Sequence, residues 1–193
     1  MFPIVPADSG DLWVVPMALR EPQGHPEPGR GAEGDRTPSV FLKTPFREAW
    51  AAFSPDGRWV AYHSNASGRN EVYVRPFVPP GASGTPPAAA SGQWQVSTAG
   101  GIHPVWGRDG RELFYVNPAG AMMAAPITVV GTGLEPGDPR VLFATGIANG
   151  GVDTTAGRQY DVAPDGRFLI NVETTGDAAP ITLIQHWNPE AKK

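Results

Sequence analysis

The 193-residue chain has no cysteine and four histidines, so disulfides and thiolate metal sites are excluded and imidazole carries most of the reactive potential. His63 and His103 sit inside apolar runs, WVAYHS and GIHPVW, rather than in polar loops. Two imidazoles joined by a carboxylate such as Glu48, Asp153 or Asp161 form a divalent-metal site, zinc being one suitable ion. Bound Zn²⁺ would lower the pKa of a water enough to hydrolyse an activated ester or phosphotriester. The spacing does not add to this idea, since neither His-x-His nor His-Glu-x-x-His occurs. Histidines at strand ends are also more often solvated polar residues than ligands. A serine nucleophile in Gly-x-Ser-x-Gly is absent, and Ser54 belongs to a turn. The Asp-rich signature of a calcium loop is absent too. His25 lies in a Pro/Gly-rich loop, and His186 falls on an outer strand.

The elements that must position these residues are read from an internal repeat. A turn of the form apolar-x-x-Asp-Gly-Arg occurs at FSPDGRWVAYHS (53–64), WGRDGRELFYVN (106–117) and VAPDGRFLINVE (162–173). Asp56, Asp109 and Asp165 are 53 and 56 residues apart. Proline or another residue opens the turn, aspartate bonds its own backbone, and glycine supplies positive φ, so each is a hairpin turn. An apolar strand ending in proline recurs at 11–17, 70–77 and 121–127, and a further strand at 39–44, 93–101 and 140–146. With 24 glycines and 22 prolines, many short strands are expected rather than long helices. The period suits four-stranded antiparallel blades of a β-propeller. The chain then supplies outer strands of a leading blade (11–44), two blades (46–101 and 102–146) and an incomplete last blade (157–187) whose third strand is ITLIQHW (181–187). The stretches 20–38 and 78–92 are expected to be mobile loops. The competing architecture is a β-sandwich with coincidental turns.

Counting from the Asp-Gly turns places the candidate residues. Trp50, His103 and Gln159 stand six before each aspartate, at the start of the innermost strand; His63, Val116 and Val172 stand seven after it, at the end of the second. The strands are antiparallel, so both sets fall at the end opposite the turn, where a propeller channel opens. His63 and His103 then form the metal pair, and Trp50 and Gln159 the ligand-binding residues of the channel mouth. Trp13, Trp59, Trp94 and Trp106 read as packing residues between blades.

The segments REAWAAFSPDGRWVAYHSNASGRNEVYVRPF and GRDGRELFYVNPAGAMMAAPI resemble the TolB-type (WD40-like) propeller repeat, in particular the carboxy-terminal propellers of bacterial serine/threonine protein kinases. The resemblance covers nearly the whole chain, from Asp11 to Trp187. It implies an all-β propeller fragment of about three blades, and an interaction or sensor module without shared catalytic residues. Six blades are usual for the family, so two copies of this chain are expected to close one ring as a homodimer by strand exchange. The leading expectation is a non-catalytic module that self-associates and binds a protein or peptide. The alternative is a metal-dependent hydrolase using His63 and His103. A net charge of −4 offers no basic field for nucleic acid, and no window of ~20 apolar residues or signal-peptide pattern occurs, so a soluble cytoplasmic protein is the default.

Overall fold

The computed structural model describes residues 10–15, 38–78, 92–154 and 157–172. His25, His186, the strand expected at 181–187 and nearly all of the two expected loops lie outside them. The described residues form antiparallel β-structure: β1 (Leu12–Val14), β2 (Ser39–Leu42), β3 (Glu48–Phe53), β4 (Trp59–Ser64), β5 (Glu71–Pro76), β6 (Trp94–Gln95), β7 (Ile102–Trp106), β8 (Glu112–Val116), β9 (Ala121–Val130), β10 (Gly133–Pro136), β11 (Arg140–Ala144), β12 (Tyr160–Val162) and β13 (Phe168–Ile170). None of these residues is helical, so no helix among them is long and apolar enough to cross a membrane.

The repeated turn does what its residues dictate. Gly57, Gly110 and Gly166 take φ of 69°, 70° and 86°, a region open to glycine at little cost. Oδ1 of Asp56, Asp109 and Asp165 accepts the backbone N–H two residues on, at 3.1, 3.0 and 3.2 Å. Ser54 adds to the first turn by accepting the Trp59 N–H at 3.0 Å. The third hairpin differs. Ser54 N–H closes onto the Trp59 carbonyl and Gly107 N–H onto that of Glu112, but Ala163 N–H closes onto Arg167. The third turn is therefore one residue shorter. Phe168 pairs with Val162 as Val60 does with Phe53 and Leu113 with Trp106. Asn171, rather than Val172, consequently takes the place that His63 and Val116 hold in the other two.

The strands make four sheets in chain order: β1-β2, then β3-β4-β5-β6, then β7-β8-β9 with both β10 and β11 on β9, then β12-β13. β9 continues past Pro126, where the repeat suggests an end, and folds back with β10 from Gly133↔Val130 to Pro136↔Ile127. That extra hairpin has no counterpart among the described residues of the other sheets and carries no repeat signal.

Side-chain alternation stacks the sheets face to face. On β4 and β5, Trp59, Ala61, Val72 and Val74 face the third-sheet residues Trp106, Leu113, Tyr115, Ala125 and Ile127 of the β7–β11 sheet. The intervening Tyr62 and Tyr73 face the other way, onto Leu42 and Leu12 of β1-β2. The β7–β11 sheet repeats the pattern: Phe114, Val116, Met122 and Ala124 turn toward Tyr160, Phe168 and Ile170 of β12-β13. The central strands β4 and β8 are thus buried on both faces, which is why they read as nearly continuous apolar runs. Trp59 and Trp94 meet edge to face at 5.5 Å and Trp106 joins the same core, whereas Trp13 is 51% exposed.

Candidate functional site

Two backbone irregularities shape one end of this stack. Trp50 and His103, equivalent in the repeat, both adopt left-handed backbone, φ 55° and 57°. Each lies in a bulge: pairing passes from Ala49↔His63 to Ala52↔Ala61, and from Ile102↔Val116 to Val105↔Phe114. Two residues of the inner strand oppose one of its neighbour, which re-aims a side chain at the cost of a backbone disfavoured for residues with a Cβ. Gln159, the third member of the set, has no such bulge, and the shorter third hairpin pairs Tyr160 directly with Ile170.

The bulges converge on Asp153. Its carboxylate, with a side chain only 3% exposed, takes the Arg47 guanidinium and the His63 Nε2 (3.2 Å) at Oδ2, and the Trp50 indole N–H (3.1 Å) at Oδ1. His103 Nε2 lies 3.4 Å from Oδ1 without reaching hydrogen-bond geometry, and is buried with no partner. The two imidazoles approach to 5.7 Å between centroids, and Trp50 meets His103 edge to face at 5.3 Å. Asp153 arrives on a strap that leaves β11. Thr145 anchors the strap on the Gly120 carbonyl (2.5 Å), Ala148 N–H bonds Asn171 O (3.0 Å), and Gly151 passes so close to the Asn117 carbonyl that a Cβ would collide with it.

One hydrogen bond fixes the protonation of the site. The backbone N–H of His103 donates to His63 Nδ1 at 3.1 Å. An accepting nitrogen carries no proton, so the neutral ring holds its proton on Nε2, aimed at Asp153. Burial, together with the nearby His103 and Arg47, lowers the His63 pKa to about 3. Burial, with Arg158 and Arg47, lowers that of His103 to about 4. Both rings are neutral at pH 7.

The residues singled out by the repeat are thus partly brought together. Trp50, His63 and His103 share one cluster. Gln159 stands beside it, lining with Trp50, Arg158, Asp161, Leu169 and Asn171 an open pocket of about 590 Å³. Its own amide bonds Gly157 O (3.0 Å) and Asn171 (2.5 Å). Of the three carboxylates, Glu48 is buried elsewhere against Thr44 (2.6 Å) and Ser64 (3.2 Å), and Asp161 faces Arg158 at 4.0 Å. Arg47 has no repeat signal, and neither does Asp153. Among the described residues no group of three or more His, Asp or Glu has the arrangement of a metal-ion site. No family model matches the chain, and no curated protein matches it.

Proposed function

We propose that the chain is a non-catalytic β-propeller module of the TolB type that closes its ring with a second copy and binds a protein or peptide at the channel mouth. The observation that carries this reading is the state of His63. Its Nδ1 lone pair is occupied by a backbone N–H and its Nε2 proton points at Asp153, which leaves neither nitrogen for chemistry. The cluster serves to hold Trp50 rigid beside the pocket, as an aromatic anchor with polar neighbours suits recognition. Selection from a random peptide library by the intact protein, repeated with Trp50→Ala, tests it. Sequences enriched by the parent and lost with the variant support the reading; no enrichment over the variant overturns it.

A metal-dependent hydrolase is the second reading, and His103 favours it, because a buried Nε2 without a partner beside a carboxylate is what a cation would satisfy. It demands that the His103 amide release His63 Nδ1, since a ring cannot accept at one nitrogen and ligate through the other while neutral. Stoichiometric zinc in purified protein, lost with esterase or phosphotriesterase turnover in His103→Ala, would establish this second reading in place of the first.

A further inference from the structure

Arg47, Trp50 and His63 donate to Asp153, yet most of the groups around that carboxylate hold their places without it. His63 is fixed in β4 by the His103 N–H (3.1 Å), His103 by the Tyr160 hydroxyl on its carbonyl (2.6 Å), and Arg47 by its own N–H on Asn65 Oδ1 (2.9 Å). Trp50 leans edge to face on His103. All four belong to, or directly precede, strands of the two large sheets. Asp153 comes from elsewhere. Its strap is tied down as far as Ile147, which is buried, and Ala148. Beyond them Gly150 N–H closes on Ile147 O (2.9 Å) and Val152 N–H on Asn149 O (3.3 Å), both within the strap, and Val152 is 64% exposed. Gly146, Asn149 and Gly150 take φ of 60°, 67° and 59°, at residue types for which left-handed backbone comes at low cost, so the strap can change course there.

Asp153 also satisfies this donor set incompletely. A carboxylate accepts about four hydrogen bonds. Arg47, His63 and Trp50 supply three, and His103 Nε2, 3.4 Å from Oδ1 and out of geometry, stays without a partner on a side chain 5% exposed. A carboxylate seated slightly differently would remove that deficit, with neutral His103 protonated at Nε2 as the fourth donor. The left-handed backbone of Trp50 and His103 adds strain of the kind that gathers at ligand sites. The mouth pocket, with Trp50 and Arg158 in its wall, gives an approach from outside. Resting on the peptide-binding reading above, we propose that Arg47, Trp50, His63 and His103 form a receptor for a peptide carboxylate. Asp153 occupies it as an internal ligand, and the strap lifts when the carboxylate of a peptide, from a side chain or from the C terminus, takes its place. The peptide competes with the strap, so the apparent affinity of the unaltered chain is reduced by the fraction of molecules in which the strap is lifted.

Asp153→Ala removes the internal ligand and leaves the four donors. The probe is sodium acetate, set against sodium chloride at equal ionic strength and pH 7, and read by the urea midpoint and by the Trp50 indole N–H in ¹⁵N–¹H spectra. The expected result is a saturable rise of the midpoint with acetate, half-complete at a concentration about tenfold or more below that needed by the parent, with the Trp50 signal moving in step. A response equal in variant and parent, or no larger than that to chloride, overturns the receptor. Should Asp153→Ala not fold, Gly151→Ala lifts the strap with every donor in place; tighter acetate binding than the parent's is expected, and equal binding refutes the proposal. Repeating the peptide-library selection with Asp153→Ala identifies the source of the carboxylate. Enrichment of internal Asp or Glu assigns a side chain, and enrichment that vanishes when the C terminus is amidated assigns the terminal group. Acetate binding with no peptide enriched upholds the carboxylate site and removes the peptide-binding reading. Peptides enriched without any acetate response keep that reading and refute the receptor.

Discussion

Replacing Asp153 by asparagine removes the negative charge on which Arg47, Trp50 and His63 converge while keeping the shape of the side chain. Arg47 and the His63 Nε2 proton both point at Oδ2, and an amide group placed there sets donor against donor or gives up Trp50 at Oδ1. Breaking a fully buried ion pair from one side costs about 3–5 kcal/mol. Arg47 is 32% exposed and recovers part of its hydration, so the net loss falls to about 2–3 kcal/mol. With a urea dependence of about 1–3 kcal/mol per molar, the unfolding midpoint should drop by about 0.7–3 M at fixed protein concentration and unchanged slope. Arg47→Met should make the second change cheaper, because the charge left behind is gone; a double-mutant cycle reads that coupling directly. If Asp153→Asn leaves the midpoint within about 0.2 M of the parent, the carboxylate is not the keystone described above.

Three further outcomes follow from the same geometry. Both histidines are neutral when folded but charge near their ordinary pKa when unfolded, so the unfolded chain binds more protons between about pH 6.5 and pH 4. Stability should therefore fall as pH drops through that window, by about 1.4 kcal/mol per pH unit for each histidine, and urea titrations at several pH values in His63→Gln should show a shallower fall. Gly151→Ala drives a Cβ into the Asn117 carbonyl, so the strap must lift; a loss on the order of 2 kcal/mol in thermal or urea unfolding is expected, together with the loss of most of that pH dependence. Leu113→Ala, fully buried between the two large sheets, should cost about 2–5 kcal/mol without altering the histidine titrations.

How much of this the residues disclose depends on whether they repeat. The Asp-Gly turns, the strands ending in proline and the meeting of His63 with His103 are legible because each recurs at a fixed distance from Asp56 or Asp109, and period-2 alternation assigns the faces. The left-handed φ of Trp50 and His103 is not legible, since nothing in REAWAAF or GIHPVW marks a bulge; it is set by tertiary bonds to Asp153 and His63. Asp153 is one carboxylate of three by sequence, and only the strap brings it in, through glycines that have no periodic partner. The third turn repeats the Pro-Asp-Gly-Arg of the first, with Ala163 in place of Ser54, and closes one residue earlier, which shifts Asn171 into the place that counting gives to Val172. The β9–β10 hairpin escapes for a similar reason: Gly131 and Gly133 make a turn that does not recur among the described residues.

The most direct test of the account is the tautomer of His63, observed through the two ring nitrogens by long-range ¹⁵N–¹H correlation between pH 8 and pH 4. A neutral ring protonated at Nε2 throughout that range, with Nδ1 shifted by its backbone donor, is the predicted result. A ring that titrates near pH 6.5, or that carries its proton on Nδ1, would contradict the closed network and the recognition role built on it.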